Sequence, residues 1–282
     1  MRPTLLAAWA LWAACGVTGA EPAPRVAAPP AWTPLFRGID HARTTVTAPV
    51  PLVVNVVRIE LKAPGIAFLV TPPNGERPLD TDGMKTSTFL KKYQCRLAIN
   101  ASPYAPVPSA EGTPTDVLGL SKSRGDEYSP PNSSYGVLML SKDNKAWIAV
   151  PPVDAKAAYQ GVGGFKLLLR DGVNVAEESP RHPRTAAGVS KDGAFLYLLV
   201  ADGRQSGYSE GATTKETAEW MRWAGAHEAL NLDGGGSSAL VCEGTDGEPE
   251  LLNRPIHAGV PGQERVTANH LGVFAQALPK GK

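Results

Sequence analysis

The sequence predicts one α+β domain with a mixed, largely β core and a βαβ unit that carries the functional residues. Three observations predict it. Short β-branched and aliphatic runs recur along the chain between Gly, Pro and Asp turns. Helical patterning falls in two short stretches, at 86–93 and after Thr213. The second stretch lies between two strand-like runs, 194–201 and 229–233, so that strand, crossover helix and strand follow one another.

The 282 residues, 43% hydrophobic and 20% charged, suffice for one large core or two small ones. Met1-Arg2, an uncharged apolar run from Leu5 to Val17 and the small residues Thr18-Gly19-Ala20 form a secretory signal pattern, cut after Ala20 and too short for a comfortable membrane span. Cys15 offers a second reading, a lipoprotein signal acylated there, although Trp12 stands where such signals carry an aliphatic residue. Export to the periplasm or medium is expected, with membrane attachment only if Cys15 is acylated. Residues 21–31 (EPAPRVAAPPA) read as a Pro/Ala-rich linker, 32–276 as the domain and 277–282 as a tail. Without residues 1–20 the formal charge falls from +1 to zero, since Arg2 leaves and no acid does. Nothing in that balance recruits nucleic acid or an anionic membrane surface. Cys95 and Cys242 are left in the exported chain, either as one disulfide or as two buried thiols.

Residues 52–61 (LVVNVVRIEL) alternate as a strand, Ala63-Pro64-Gly65 turns, and 66–71 form a second strand. Residues 86–93 (TSTFLKKY) make a short helix, and 96–100 (RLAIN) a strand that ends on an amide. The Pro-, Gly-, Ser- and Asp-rich stretch 105–135 reads as a long surface loop with a short strand near 117–120. Strands resume at 135–140, 146–150 and 161–169, the last followed by a tight Arg170-Asp171-Gly172 turn. Runs 184–189 and 194–201 flank Ser190-Lys191-Asp192-Gly193 as a hairpin, its second strand apolar enough to be buried on both faces. Thr213 and Glu216 form a capping box, Ala218, Trp220, Met221, Trp223 and Ala224 supply the helix, and Gly225 closes it. A final strand near 270–274 is expected to return to the main sheet.

Residues 229–241 (ALNLDGGGSSALV) gather the most chemistry. Leu230 and Leu232 point one way, Asn231 and Asp233 the other, and the strand stops at Gly234-Gly235-Gly236. Consecutive glycines supply backbone angles closed to other residues, or open access to main-chain N–H groups that can form an anion nest. A polar turn is the competing explanation. No Lys follows the glycines and the next run is strand-like, which excludes a nucleotide P-loop. If the two strands of the βαβ unit share a sheet they are parallel, and Asp202 and Asp233 face one crevice at their carboxyl ends.

His182-Pro183-Arg184-Thr185-Ala186, Asp202-Gly203-Arg204, Glu216 and Asn231-Leu232-Asp233-Gly234-Gly235-Gly236-Ser237-Ser238, in this order and spacing, resemble the phosphodiester glycosidase family. The resemblance runs from about residue 50 to 276, with Asn100 ending an Ile-Asn-Gly-Gly-type segment and Gly163-Gly164 to Gly172 similar to a Gly-x-x-x-Leu-x-x-x-Gly segment. Asn100-Ala101-Ser102-Pro103-Tyr104 departs from the family's Asn-Gly-Gly-Phe-Phe, and Ala201 before Asp202 is a minor departure. The resemblance implies hydrolysis of a sugar-1-phosphodiester at the anomeric carbon, releasing a GlcNAc-like sugar and a phosphomonoester, with a phosphodiester-linked saccharide or cell-surface glycopolymer of exopolysaccharide type as partner.

A phosphomonoester leaves easily, its second pKa being about 6, so a strong general acid matters less than in ordinary glycoside hydrolysis. One carboxylate and a set of phosphate donors remain to be found. Asp233 is the first candidate, Asp202 the second, and Glu216 the third, its capping box explaining it without function. Arg184, Arg204 and Arg265 match phosphate bidentately, a surface ion pair being the alternative for each, and the N–H groups of Gly234, Gly235 and Gly236 with Ser237 add donors. Asn100, Asn231 and Asn269, at strand ends, either bind sugar hydroxyls or satisfy buried backbone. No cofactor is expected: the five histidines lack metal-ligand spacing, and calcium on Asp and backbone oxygens is the ion left open. Ser237 has no partnered His or Asp at a recognised spacing, which disfavours a serine hydrolase. The competing class is a catalytically silent carbohydrate- or polymer-binding protein on the same fold.

Overall fold

The computed structural model of the chain describes residues 30–279. The signal-peptide and lipoprotein readings, and nearly all of the expected linker, lie outside the described residues.

Three sheets surround a common core. The largest has eight strands in the order Thr33–Phe36, Ile39–Val46, Leu52–Glu60, Phe195–Ala201, Arg184–Val189, Glu228–Asn231, Leu167–Arg170 and Val173–Asn174. A five-stranded sheet runs Pro249–Leu251, Leu240–Glu243, Leu97–Asn100, His270–Phe274 and Ala67–Val70. The other runs Asp126–Ser129, Ser121–Ser123, Gln160–Gly163, Val137–Leu140 and Ala146–Ala149. Alternation along each strand decides which face meets which neighbour. Val57 and Ile59 enter the central core with Ile99, Leu138, Leu198 and Leu230, whereas Val54 and Val56 face outward onto a second cluster with Leu199 and Met221. That second cluster is closed by helix α2, Thr214–Ala224. Helix α1, Thr86–Tyr93, lays Phe89 and Leu90 on Ala98 and Val241 of the five-stranded sheet. Phe195–Ala201 is buried on both faces, as its unbroken apolar run predicts.

Several expectations need correction. The sheets are antiparallel at every pairing between these strands, not mixed. Phe195–Ala201 and Glu228–Asn231 share a sheet and a direction, but Arg184–Val189 lies between them, antiparallel to both. The tight turn at 190–193 keeps Arg184–Val189 on one side of Phe195–Ala201 and Leu52–Glu60 takes the other, so the two strands of the expected βαβ unit are parallel but not adjacent. Both carboxyl ends nevertheless reach one edge of the sheet. Residues 105–135 are only in part a surface loop: 105–112 and 130–134 are largely exposed and the expected short strand lies at Pro114–Val117, but Ser121, Ser123 and Ser129 are buried in further strands, with Ser123 Oγ donating to Val70 O at 2.7 Å and Ser129 Oγ to Val117 O at 2.8 Å. Satisfied hydroxyls replace apolar side chains there, which is why a polarity argument misses these strands. The 161–169 run divides between two sheets, and His270–Phe274 joins the five-stranded sheet rather than the largest one. Cys95 and Cys242 are buried free thiols, Cys95 packed in the α1 cluster and Cys242 in the central core, on opposite sides of their sheet.

Candidate active site

Residues 232–239 carry the chain from the end of Glu228–Asn231, in the eight-stranded sheet, to Leu240–Glu243 in the five-stranded one. The glycine loop is this crossing, with a single turn of 3-10 helix at Gly235–Ser237. Asn100 clamps both of its ends. Its Nδ2 donates to Asp233 O at 2.6 Å, and its Oδ1 accepts from Ala239 N at 3.1 Å and Thr185 Oγ1 at 2.9 Å. Asn100 is therefore committed to backbone, one of the two roles open to it.

Each glycine has its own reason. A Cβ on Gly234 would stand 2.8 Å from Pro183 O. Gly235 has φ +63°, and beside it lies the Arg204 guanidinium. A Cβ on Gly236 would stand 2.5 Å from Arg265 Nη2. The loop thus lies between two guanidinium groups that any side chain would displace. Its amides are less open than a nest requires: Gly235 N donates to Pro183 O at 2.8 Å, Ser237 N to Gly234 O at 3.2 Å, and Gly234 N to the Asp233 carboxylate. Room for arginines, rather than bare donors, is what the glycines provide.

Asp233 is partly exposed beside this loop. Burial raises its pKa to about 6, against the opposing pull of the Ser237 hydroxyl, the Arg265 charge and the Gly234 amide. Ser237 is buried, with Oγ 3.1 Å from the Tyr104 hydroxyl. Arg265 Nε donates to His257 Nδ1 at 3.3 Å, and Arg204 Nη2 lies 3.5 Å from His182 Nδ1. Both histidines have lowered pKa values, from burial first and the adjoining arginines second, which keeps them neutral acceptors. Arg184 donates to the neutral oxygens of Ala212 (2.9 Å), Ser179 (2.7 Å) and Pro180 (2.5 Å). Among the described residues none of Arg184, Arg204 and Arg265 is ion-paired with a carboxylate. Arg265 beside Asp233 and Arg204 at the same glycine loop suit an anionic substrate reacting next to the carboxylate, whereas the Arg184 side chain runs from the loop toward residues 179, 180 and 212.

Asp202 differs from Asp233 in burial and partners. It is 1% exposed, and its oxygens accept from Asn253 Nδ2 (2.9 Å), Arg254 N (3.0 Å) and the Tyr208 hydroxyl (3.0 Å). Burial raises its pKa, with these donors opposing. Asn253 in turn accepts from Leu240 N at 2.7 Å and donates to Ser238 O at 3.3 Å, so Asp202 fixes the far end of the glycine loop from behind. Glu216 completes the capping box with Thr213 and takes a bidentate pair from Arg181 at 2.7 and 2.5 Å. Both of its oxygens are thereby committed to structure. Asn269 is fully buried, its Oδ1 accepting from Ser102 Oγ at 3.1 Å and its Nδ2 donating to the Tyr128 hydroxyl at 2.9 Å. Asn231 lies on the α2 side of the sheet, its Oδ1 buried without a partner.

Sequence reasoning missed His257 as a neighbour of Arg265 and Arg181 as the partner of Glu216; only Tyr104, through its departure from the family pattern, carried a signal. Among the described residues one cluster able to hold a metal, Asp171, His227 and Glu228, lies at the opposite end of the same strands, at the 170–173 turn.

Fold and site together describe a β-sheet scaffold with a carboxylate at a glycine loop flanked by Arg204 and Arg265. The chain belongs to the phosphodiester glycosidase family, whose sequence profile matches residues 93–274. Solved structures similar to it include a hypothetical protein from Synechocystis (TM-score 0.63, 17% identity, 85% of this chain and 62% of that one). The zebrafish N-acetylglucosamine-1-phosphodiester α-N-acetylglucosaminidase catalytic domain, auto-inhibited by its pro-peptide, is similar at TM-score 0.63 and 18% identity, over 86% of this chain and 85% of that one. A Burkholderia pseudomallei protein provisionally described as exported is similar at TM-score 0.55 and 16% identity, over 81% and 75% of the two chains. The chain thus spans under two thirds of the Synechocystis protein, and no curated protein matches it in sequence. No helix of the described residues is long and apolar enough to cross a membrane.

Proposed function

We propose that the protein hydrolyses a sugar-1-phosphodiester at the anomeric carbon, releasing a free sugar of GlcNAc type and a phosphomonoester, and that it does so outside the cytoplasm on a saccharide or cell-surface glycopolymer. The observation that carries this reading is Asp233, partly open, with its pKa at about 6, beside Arg265 at a glycine loop that Arg204 also lines, neither arginine ion-paired among the described residues. Above that pKa Asp233 is ionised and serves as nucleophile at the anomeric carbon or as base for the attacking water; both routes need the same form. The arginines hold the phosphate and stabilise the charge it gains as the bond from carbon to oxygen breaks. The departing phosphomonoester needs no strong acid, which fits a site with a single free carboxylate. Tyr104, kept protonated because burial raises its pKa, orients Ser237 toward Asp233.

Hydrolysis in ¹⁸O-labelled water tests the position of cleavage. The proposal expects the label in the free sugar and none in the phosphomonoester. Label in the phosphate would mean attack at phosphorus and would overturn the glycosidase reading.

A further inference from the structure

At the end of the largest sheet remote from Asp233 two connections meet: the turn between Leu167–Arg170 and Val173–Asn174, and the residues that lead from α2 into Glu228–Asn231. They bring Asp171, His227 and Glu228 together, with one ligand atom of each within 4.8 Å of the others. Hydrogen bonds from backbone amides hold the three in place. Gly172 N donates to His227 O at 2.8 Å, His227 N to Val189 O at 2.8 Å, and Asp171 N to Glu228 Oε1 at 2.7 Å. A Cβ on Gly172 would stand 3.2 Å from His227 Nδ1, so that edge of the ring lies against the turn. The other ring nitrogen, Nε2, stands 3.7 Å from Asp171 Oδ1. That is too long for a hydrogen bond, yet close to the separation of about 3.4 Å between two ligands of a tetrahedral zinc ion with bonds of about 2.1 Å. Among the described residues neither ring nitrogen of His227 has a hydrogen-bond partner.

We infer that Asp171, His227 and Glu228 bind one divalent transition-metal ion of the zinc class, at a site separate from the carboxylate and arginines of the glycine loop. One imidazole with two carboxylates suits zinc, whereas calcium and magnesium prefer larger sets made only of oxygen. The Asp171 side chain is 83% exposed, so water completes the coordination. The ion ties the 170–173 turn, at the edge of the sheet, to the strand that leads into the glycine loop. Only the folded chain assembles the three ligands, so binding stabilises the fold. The spacing of histidines could not reveal this site. Two of its ligands are neighbours in the chain, and the third arrives through the pairing of Leu169 with Ala229.

The test is calorimetric titration of zinc chloride into the untagged, chelator-stripped protein, with magnesium and calcium chlorides in parallel, for wild type, His227→Ala and Asp171→Asn. Wild type is expected to bind one zinc ion per chain in preference to magnesium and calcium, and each variant to bind zinc at least tenfold more weakly. With zinc at a hundredfold excess over the dissociation constant, the wild-type Tm should rise by about 5 °C or more, and that of His227→Ala should not. Asp171→Asn, altered at an exposed side chain, decides the matter should His227→Ala not fold. No zinc binding by wild type, equal affinity in wild type and a folded variant, or calcium or magnesium bound as tightly as zinc would overturn the site. Neither readout involves turnover, so the result stands or falls apart from the hydrolase reading.

Discussion

Asp233 is held at a cost that its chemistry explains. Its pKa of about 6 exceeds the ordinary Asp value of 3.8 because burial disfavours the charged form. Activity needs the carboxylate, so kcat/KM is expected to rise with pH and level off above an inflection near pH 6. A flat profile between pH 5 and 8 would contradict this. Stability follows the opposite course. The folded state holds this proton more tightly than the unfolded chain, so the associated stability is complete below pH 3.8 and is lost as pH rises through about 6. Asp233→Asn removes the penalty, and urea melts at pH 8 should show the variant more stable than wild type, by up to about 3 kcal/mol. Asp202 behaves otherwise: Asp202→Ala strands Asn253, Arg254 N and the Tyr208 hydroxyl, and should destabilise by about 2–4 kcal/mol in the same assay. In sequence the two aspartates look alike, each before a glycine at a strand end. They differ through partners some fifty positions away, Asn253 and Arg254 for Asp202, which no local pattern reveals.

At the scale of elements, the glycine loop and α2 make contrasting cases. Gly236→Ala would meet the end of the Arg265 side chain, which can swing away, so the fold should survive while KM rises tenfold or more as Arg265 leaves the phosphate position. Unchanged kinetics would remove Arg265 from substrate binding. The need for glycine was legible in sequence, but its purpose was not: the expected anion nest is mostly filled by the loop's own hydrogen bonds, and the arginines arrive from 204 and 265 through tertiary packing. For α2 the capping box was legible in full, since all of its parts are local. Its bidentate partner Arg181 was not. Glu216→Ala should cost about 1–3 kcal/mol in thermal or urea unfolding and leave kcat per folded molecule within a factor of two. A large loss of kcat with normal stability would return Glu216 to the chemistry.

Across the whole molecule, strands and helices were legible where side-chain period or turn residues declare them, while adjacency was not. The largest sheet joins Leu52–Glu60 to Phe195–Ala201, and residues 232–239 connect two sheets, because core faces distant in sequence match in shape and polarity. Strands carrying buried serines, such as Ser121–Ser123, escaped notice because hydrogen bonds rather than apolar burial secure them. The same placement separates Cys95 from Cys242. Both thiols should react with a thiol reagent after denaturation without reductant, and reductant should leave Tm unchanged. The most direct measurement of the central claim is release of free sugar from a panel of sugar-1-phosphodiesters, GlcNAc-α-1-phosphate esters included, by the protein without residues 1–20 and by its Asp233→Asn variant. The account predicts turnover in the former and a loss of at least about a thousandfold in a still-folded variant. Equal turnover in both would remove Asp233 from the chemistry, and no turnover on any ester with polymer binding retained would make the protein a binder rather than an enzyme.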